Sequence, residues 1–119
     1  MTEVTFWILT ALVAKTRHGY AILRDVEELT AGAVSIRIST LYSTLERLER
    51  DGRVRRAGED VVDGRARRYY ELTDEGREDL EAETDRLAAK LRAAETRLSA
   101  HRLGPARPAP ATMSWREAW

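Results

Sequence analysis

Apolar residues recur at helical spacing in four stretches of the chain and alternate in the segments between. Over residues 5–13, Phe6, Leu9 and Val13 recur at three and four, and Ile8 and Leu12 form a second row, which predicts a helix. So broad an apolar surface needs cover on more than one side. One side is expected to meet the domain core, the other a partner chain, and Trp7 joins that packing. Residues 18–30 predict a second helix with the stripe Ile22, Leu23, Val26 and Leu29, ended by Gly32. Thr16 is placed to cap it, His18 is a structural or capping residue, and Gly19 permits close approach by another element. Residues 34–38 alternate, with Val34, Ile36 and Ile38 on one side, which predicts a short strand. Ser39 is expected to cap a third helix running to about Asp51. Leu41, Leu45 and Leu48 bury one face of that helix, and Thr40, Ser43, Thr44, Arg47 and Arg50 lie on the others.

Residues 53–62 and 66–72 read as a two-stranded hairpin around Asp63-Gly64, a strong tight-turn signal. Thr73 is a natural N-cap for the last helix, which runs to about Arg102, with Asp74 and Glu75 where the helix dipole favours negative charge. Leu80, Thr84, Leu87, Leu91, Ala94 and Leu98 follow the spacing 4-3-4-3-4, a heptad seam. A small domain cannot cover so long a helix, so the seam implies a second chain. Residues 104–119 hold all three prolines and read as a flexible tail, whose Trp115 and Trp119 either dock in a groove or form an unstructured end. The predicted fold is mainly α with a small β hairpin: a winged helix-turn-helix over 1–72, a dimerisation helix over 73–103 and a tail over 104–119. The third helix is then the recognition helix and the hairpin the wing.

Composition narrows the function. The 119 residues are 43% hydrophobic and 34% charged, with zero formal net charge and no cysteine, which excludes disulfide scaffolds and cysteine-based metal sites or catalysis. The densest apolar run, 6–13, is too short to span a membrane, and no secretion signal is evident, so the cytoplasm is the expected compartment. His18 and His101 lie on separate helices, and no HExxH, GxSxG, Walker A or GxGxxG pattern occurs. No enzyme activity, cofactor or metal is expected.

The charge is segregated. Residues 37–68 hold nine arginines and six acids, whereas residues 71–95 hold nine acids and four bases. Eighteen of the twenty basic residues are arginine, whose rigid fork suits phosphates and guanine edges. Arginines bracket the third helix and the hairpin tip, which points to double-stranded DNA. Arg47 is the best candidate for a base edge; Ser39, Thr40, Ser43 and Thr44 offer hydroxyls; Arg37 is placed to clamp the backbone. Arg65 and Arg67 flank the wing turn, and Arg68, on the other strand face, braces the wing. The rival reading is a winged-helix adaptor that binds protein.

These residues also carry a family resemblance. Trp7-Ile8-Leu9-Thr10-Ala11-Leu12, His18-Gly19-Tyr20-Ala21-Ile22, the run Thr40 to Gly52 with its TLY and DG elements, and Gly64 to Gly76 with its RRYY and LT elements come in the order of the PadR-type transcriptional regulators, which the chain resembles over roughly residues 5–98. The resemblance implies a homodimeric repressor whose C-terminal helix forms much of the dimer interface, relieved by a small aromatic or hydrophobic effector. It matches Tyr42 to the family's recognition-helix tyrosine and Tyr69 and Tyr70 to its wing pair. Tyr70 is accordingly expected to pack inward with its hydroxyl reaching a polar partner or phosphate, and Tyr42 to touch the DNA backbone. The dimer interface is expected at Phe6, Leu9, Leu80, Thr84, Leu87, Leu91, Ala94 and Leu98, and an effector pocket at Phe6, Trp7 and Leu91. The chain departs from the family at Arg37-Ile38-Ser39, where Pro or Gly is usual before TLY, and at residues 14–17, where a Gly-Pro turn is common.

Overall fold

A computed structural model describes residues 1–102. The tail over 104–119, with Trp115 and Trp119, lies outside the described residues. The elements in order are α1 (Glu3–Leu12), β1 (Arg17–His18), α2 (Gly19–Leu29), α3 (Ile38–Arg50), β2 (Val54–Val62), β3 (Arg65–Leu72) and α4 (Asp74–Arg102). The strands form one antiparallel sheet in the order β1-β3-β2. The fold is mainly helical with a small sheet and a long C-terminal helix, as expected of a winged helix-turn-helix.

The apolar stripes converge on one core. Ile8, Leu9 and Leu12 of α1 meet Ile22 and Val26 of α2 and Leu41 and Leu45 of α3, all essentially inaccessible to water. Each such burial contributes about 1.5–3 kcal/mol. Val54 and Tyr70 bring the base of the hairpin into the same core, and Leu80 brings α4.

Chain divisions differ from the expected ones. The first compact unit runs Met1–Asp85 and takes in the first turns of α4; a second unit begins at Arg86. Leu9 and Leu80 are 1% and 7% exposed within this single chain, so they are core residues and are withdrawn from the dimer face. Glu83 is also buried and lies 3.6 Å from the Met1 amino group. Thr84 is exposed and its hydroxyl donates to the Glu81 carbonyl. In the second unit Leu87, Leu91, Ala94 and Leu98 are all exposed.

The expected strand over 34–38 is absent. Thr30 accepts from the Val34 N–H through its hydroxyl, and its carbonyl accepts from the Ala33 N–H, so the segment closes on the end of α2 instead of joining the sheet. Ile36 is buried in the core and Val34 packs against it partly buried, while Ile38 is exposed and opens α3. The sheet's third strand is β1, where Arg17 pairs with Tyr70 and His18 with Tyr69. Capping shifts as well. His18, not Thr16, caps α2, its Nδ1 accepting from the Ala21 N–H at 3.3 Å. Arg37 is the N-cap of α3 and makes no side-chain cap bond; Ser39 sits inside the helix.

Two sequence elements form one joint. The Thr73 hydroxyl accepts from the Gly76 N–H at 3.0 Å, capping α4, and donates to the Gly52 carbonyl at 2.6 Å. Arg53 adds ion pairs to Glu75 and Asp79. A Cβ on Gly76 would lie 2.1 Å from the Arg53 carbonyl oxygen, so only glycine lets α4 start there. The DG at the end of α3 and the LTxxG at the start of α4 therefore serve packing.

Candidate nucleic-acid interface

The inner arc of α3 is Leu41, Thr44, Leu45 and Leu48. At 100° per residue the opposite arc holds Ser39, Ser43, Glu46 and Arg50, flanked by Tyr42 on one side and by Thr40 and Arg47 on the other. All of these flanking and outer residues are exposed. Ser43 donates to the Thr40 carbonyl at 3.1 Å. The front half of the outer face is thus uncharged and hydroxyl-rich, with exposed Arg37 just ahead of it.

Three expectations change. Thr44 is 9% exposed and faces the core, so it leaves the DNA-contacting set. Tyr70 is 3% exposed and is withdrawn from it too; burial foremost raises its pKa, against the neighbouring Arg56 and Arg68 guanidiniums. Arg47 is exposed, but its guanidinium turns back along the molecule, Nη2 donating to the Thr5 hydroxyl at 2.8 Å. It ties α3 to α1 rather than extending from the outer face.

Tyr42 packs over the start of α2, where a Cβ on Gly19 would lie 2.6 Å from its hydroxyl and 3.4 Å from Leu41 Cδ2. The small residue of the HGY element thus makes room for the tyrosine of the TLY element. Spacing along the chain carries no sign of this pairing, because the two motifs stand some twenty residues apart and meet only in the fold.

Beside it opens a cleft of about 550 Å³ between α2, α3 and the wing. Its walls carry His18, Tyr20, Tyr42, Arg65, Arg67 and Arg68. Arg65 and Arg67 share one face of β3 with Tyr69. Arg68 lines the cleft as well, beyond the bracing role expected of it. Among the described residues, Arg37, Arg65, Arg67 and Arg68 form no ion pair. Arg55 pairs with Glu71, Arg56 with Glu49 and Arg17 with Asp25. Exposed arginines without an ion pair thus stand along the outer wing and just ahead of α3, where they can engage phosphate.

The wing turn has both central residues at positive φ, Asp63 at 52° and Gly64 at 76°, the geometry that suits a two-residue hairpin. A bulge in β2 between Arg56 and Gly58, with Gly58 at φ 135°, interrupts the ladder. Tyr69 donates to Asp60 Oδ2 at 2.9 Å, and that bond is the main cause of its raised pKa. Burial, then the charges of Arg67 and Arg24, lower the pKa of His18, while Asp60 opposes them.

Of the effector candidates, Phe6 and Trp7 meet edge to face at 5.2 Å and are partly buried against the core. Leu91 belongs to the second unit and is 60% exposed. Among the described residues no group of three or more His, Asp or Glu is placed to hold a metal ion. Among the described residues no helix is long and apolar enough to cross a membrane.

Comparison with known proteins agrees with this architecture. The family described as transcriptional regulator PadR-like matches residues 8–82, more than half of the chain. An uncharacterized protein X of Lysinibacillus sphaericus is 34% identical over 70 residues, which are 59% of this chain and 64% of that protein's length. The structure of a transcriptional regulator from Clostridium thermocellum superimposes with a TM-score of 0.68 at 25% identity, covering 78% of this chain and 90% of the other. That of Bacillus subtilis PadR in complex with operator DNA does so with a TM-score of 0.61 at 20% identity, covering 95% of this chain and 54% of the other.

Proposed function

The chain belongs to the PadR-like family of transcriptional regulators, and from that premise we propose that it is a cytoplasmic homodimeric repressor that binds an inverted-repeat DNA operator. Residues 1–72 read the DNA, and the part of α4 beyond Asp85 pairs the two copies. The observation that carries this reading is the set of exposed arginines, Arg37 just ahead of α3 and Arg65, Arg67 and Arg68 on the wing, that edge the hydroxyl-rich face of α3 and the cleft beside it. The front half of α3 enters the major groove, with Ser39, Thr40 and Ser43 at its leading end. Arg37 holds the flanking backbone, and Arg65 and Arg67 hold the phosphates beside the groove. Bacillus subtilis PadR, which shares the fold, has been solved in complex with operator DNA, which supports DNA as the partner. A small aromatic or hydrophobic ligand at Phe6 and Trp7 relieves repression by changing the spacing of the two reading heads.

Selection of bound sequences from a random double-stranded pool tests the reading. The expected product is an inverted repeat with half-site centres about 34–36 Å apart, one helical turn. Scrambling one half-site then weakens a gel shift strongly. Arg65→Ala lowers the magnitude of the salt slope of log K by about 1.8, the signature of one lost phosphate contact in each protomer. A pool that shows no enrichment overturns the proposal.

A further inference from the structure

The outer wing has no core of its own. Along β2 only Val54 is buried, and along β3 only Tyr70 is; both lie at the base. A two-stranded ribbon is marginal in water by itself, and the bulge at Gly58 separates the outer rungs from the ladder below. The ion pairs Arg55–Glu71 and Arg56–Glu49 sit on the near side of that bulge. Beyond it, one side-chain bond joins β2 to β3 among the described residues, from the Tyr69 hydroxyl to Asp60.

Tyr69 also reaches the opposite way. It is the cross-strand partner of His18 on β1, and the two rings meet edge to face at 5.5 Å and 88°. The same imidazole caps α2 through Nδ1. One side chain therefore connects the far strand of the wing, through its own strand, to the start of the first helix of the helix-turn-helix pair. Arg65 and Arg67, on the same face of β3 as Tyr69, line the cleft that His18 also lines.

We propose that Tyr69 is a wing-positioning residue, and that its bond to Asp60 and its contact with His18 set the pose in which Arg65 and Arg67 meet the DNA backbone. The inference rests on the DNA-binding reading above. Tyr69 acts through the two arginines and contacts no base.

Two variants separate position from fold. Tyr69→Phe removes the hydroxyl and keeps the ring on His18. His18→Asn keeps an N-cap, since asparagine caps well, and removes the ring. Without DNA, hydrogen exchange across residues 59–68 is expected to rise several-fold in Tyr69→Phe while α1, α2 and α3 exchange as in the wild type. On the selected operator, Tyr69→Phe and His18→Asn each lower affinity by about five-fold per protomer, roughly 25-fold for the dimer, the weight of one ordinary hydrogen bond or ring contact in each copy. The decisive measurement is coupling: Arg65→Ala must cost clearly less in the Tyr69→Phe background than in the wild type, because the arginine is already misplaced. Unchanged exchange in the wing overturns the proposal, and so does a loose wing in which the Arg65 and Tyr69 effects simply multiply. If the wild type selects no DNA, the regulatory reading falls and the positioning role with it, whereas the exchange result still reports whether Tyr69 braces the wing.

Discussion

A methyl group added at Gly19 and one added at Gly76 meet different obstacles. At Gly19 the obstruction is the end of the Tyr42 side chain, 2.6 Å from the new Cβ, and a tyrosine can swing. At Gly76 it is the Arg53 carbonyl oxygen at 2.1 Å, which is backbone and moves only if α4 leaves its joint with Gly52 and Thr73. Both glycines stand in the first turn of a helix, where alanine would otherwise gain up to about 1 kcal/mol. Gly19→Ala is expected to cost about 1–3 kcal/mol, the usual range for overpacking, and Gly76→Ala more than that. Thermal unfolding separates them, since about 1 kcal/mol shifts the midpoint by about 4–8 °C in a domain of this size. Equal midpoints would refute the distinction between a side-chain and a backbone clash. Gly19→Ala also moves Tyr42 out of the cleft, so its DNA affinity falls even where its fold survives.

At the scale of the element, α2 depends on a cap that acids can remove. His18 Nδ1 accepts from the Ala21 N–H only while that nitrogen is unprotonated. Burial first, and then Arg67 and Arg24, hold its pKa below 6.5 in the folded chain, with Asp60 pulling the other way. The unfolded chain therefore binds the proton more readily. The stability that this neutral imidazole contributes is complete above about pH 6.5 and is lost as pH falls through the lowered folded value. Unfolding midpoints measured between pH 7.5 and 5 should fall more steeply for the wild type than for His18→Asn, whose cap does not titrate in that range; parallel curves would remove His18 from the account. The sequence showed His18 as a structural or capping residue, and the helices and hairpin as periodic patterns, because burial writes itself into spacing. It did not show β1, since two residues cannot display a period. It suggested a strand at 34–38, where one buried residue, Ile36, and two neighbours happen to alternate. Thr44 was placed on the wrong side for a related reason. It lies three residues after Leu41 and four before Leu48, inside the buried arc, and a threonine's polarity outweighed its position. Arg47 lies at the edge of the outer arc, where spacing alone cannot say that Thr5 on α1 takes its guanidinium.

At the scale of the whole molecule, the question is what the apolar residues of the second unit are for. Leu87, Leu91 and Leu98 are 38%, 60% and 59% exposed, and their spacing of four and seven sets them along one stripe of a helix. Burying each against a second copy contributes about 1.5–3 kcal/mol per leucine at full burial, so the stripe is worth several kcal/mol per protomer in the proposed homodimer. The pairing also bears on DNA binding. A lone reading head holds a half-site, whereas two linked heads bind the second half-site intramolecularly and gain about 10²–10⁴ in affinity without any new contact. Replacing Leu91 and Leu98 together by Asp should therefore yield a monomer in sedimentation equilibrium. The core that ends at Asp85 stays folded, because neither residue belongs to it. Affinity for the complete inverted repeat should drop by about 10²–10⁴ toward that for a half-site, while half-site affinity itself stays unchanged. A double variant that stays dimeric would place the interface elsewhere on the chain. One that becomes monomeric yet holds the full repeat as tightly as the wild type would mean that each chain reads its DNA alone.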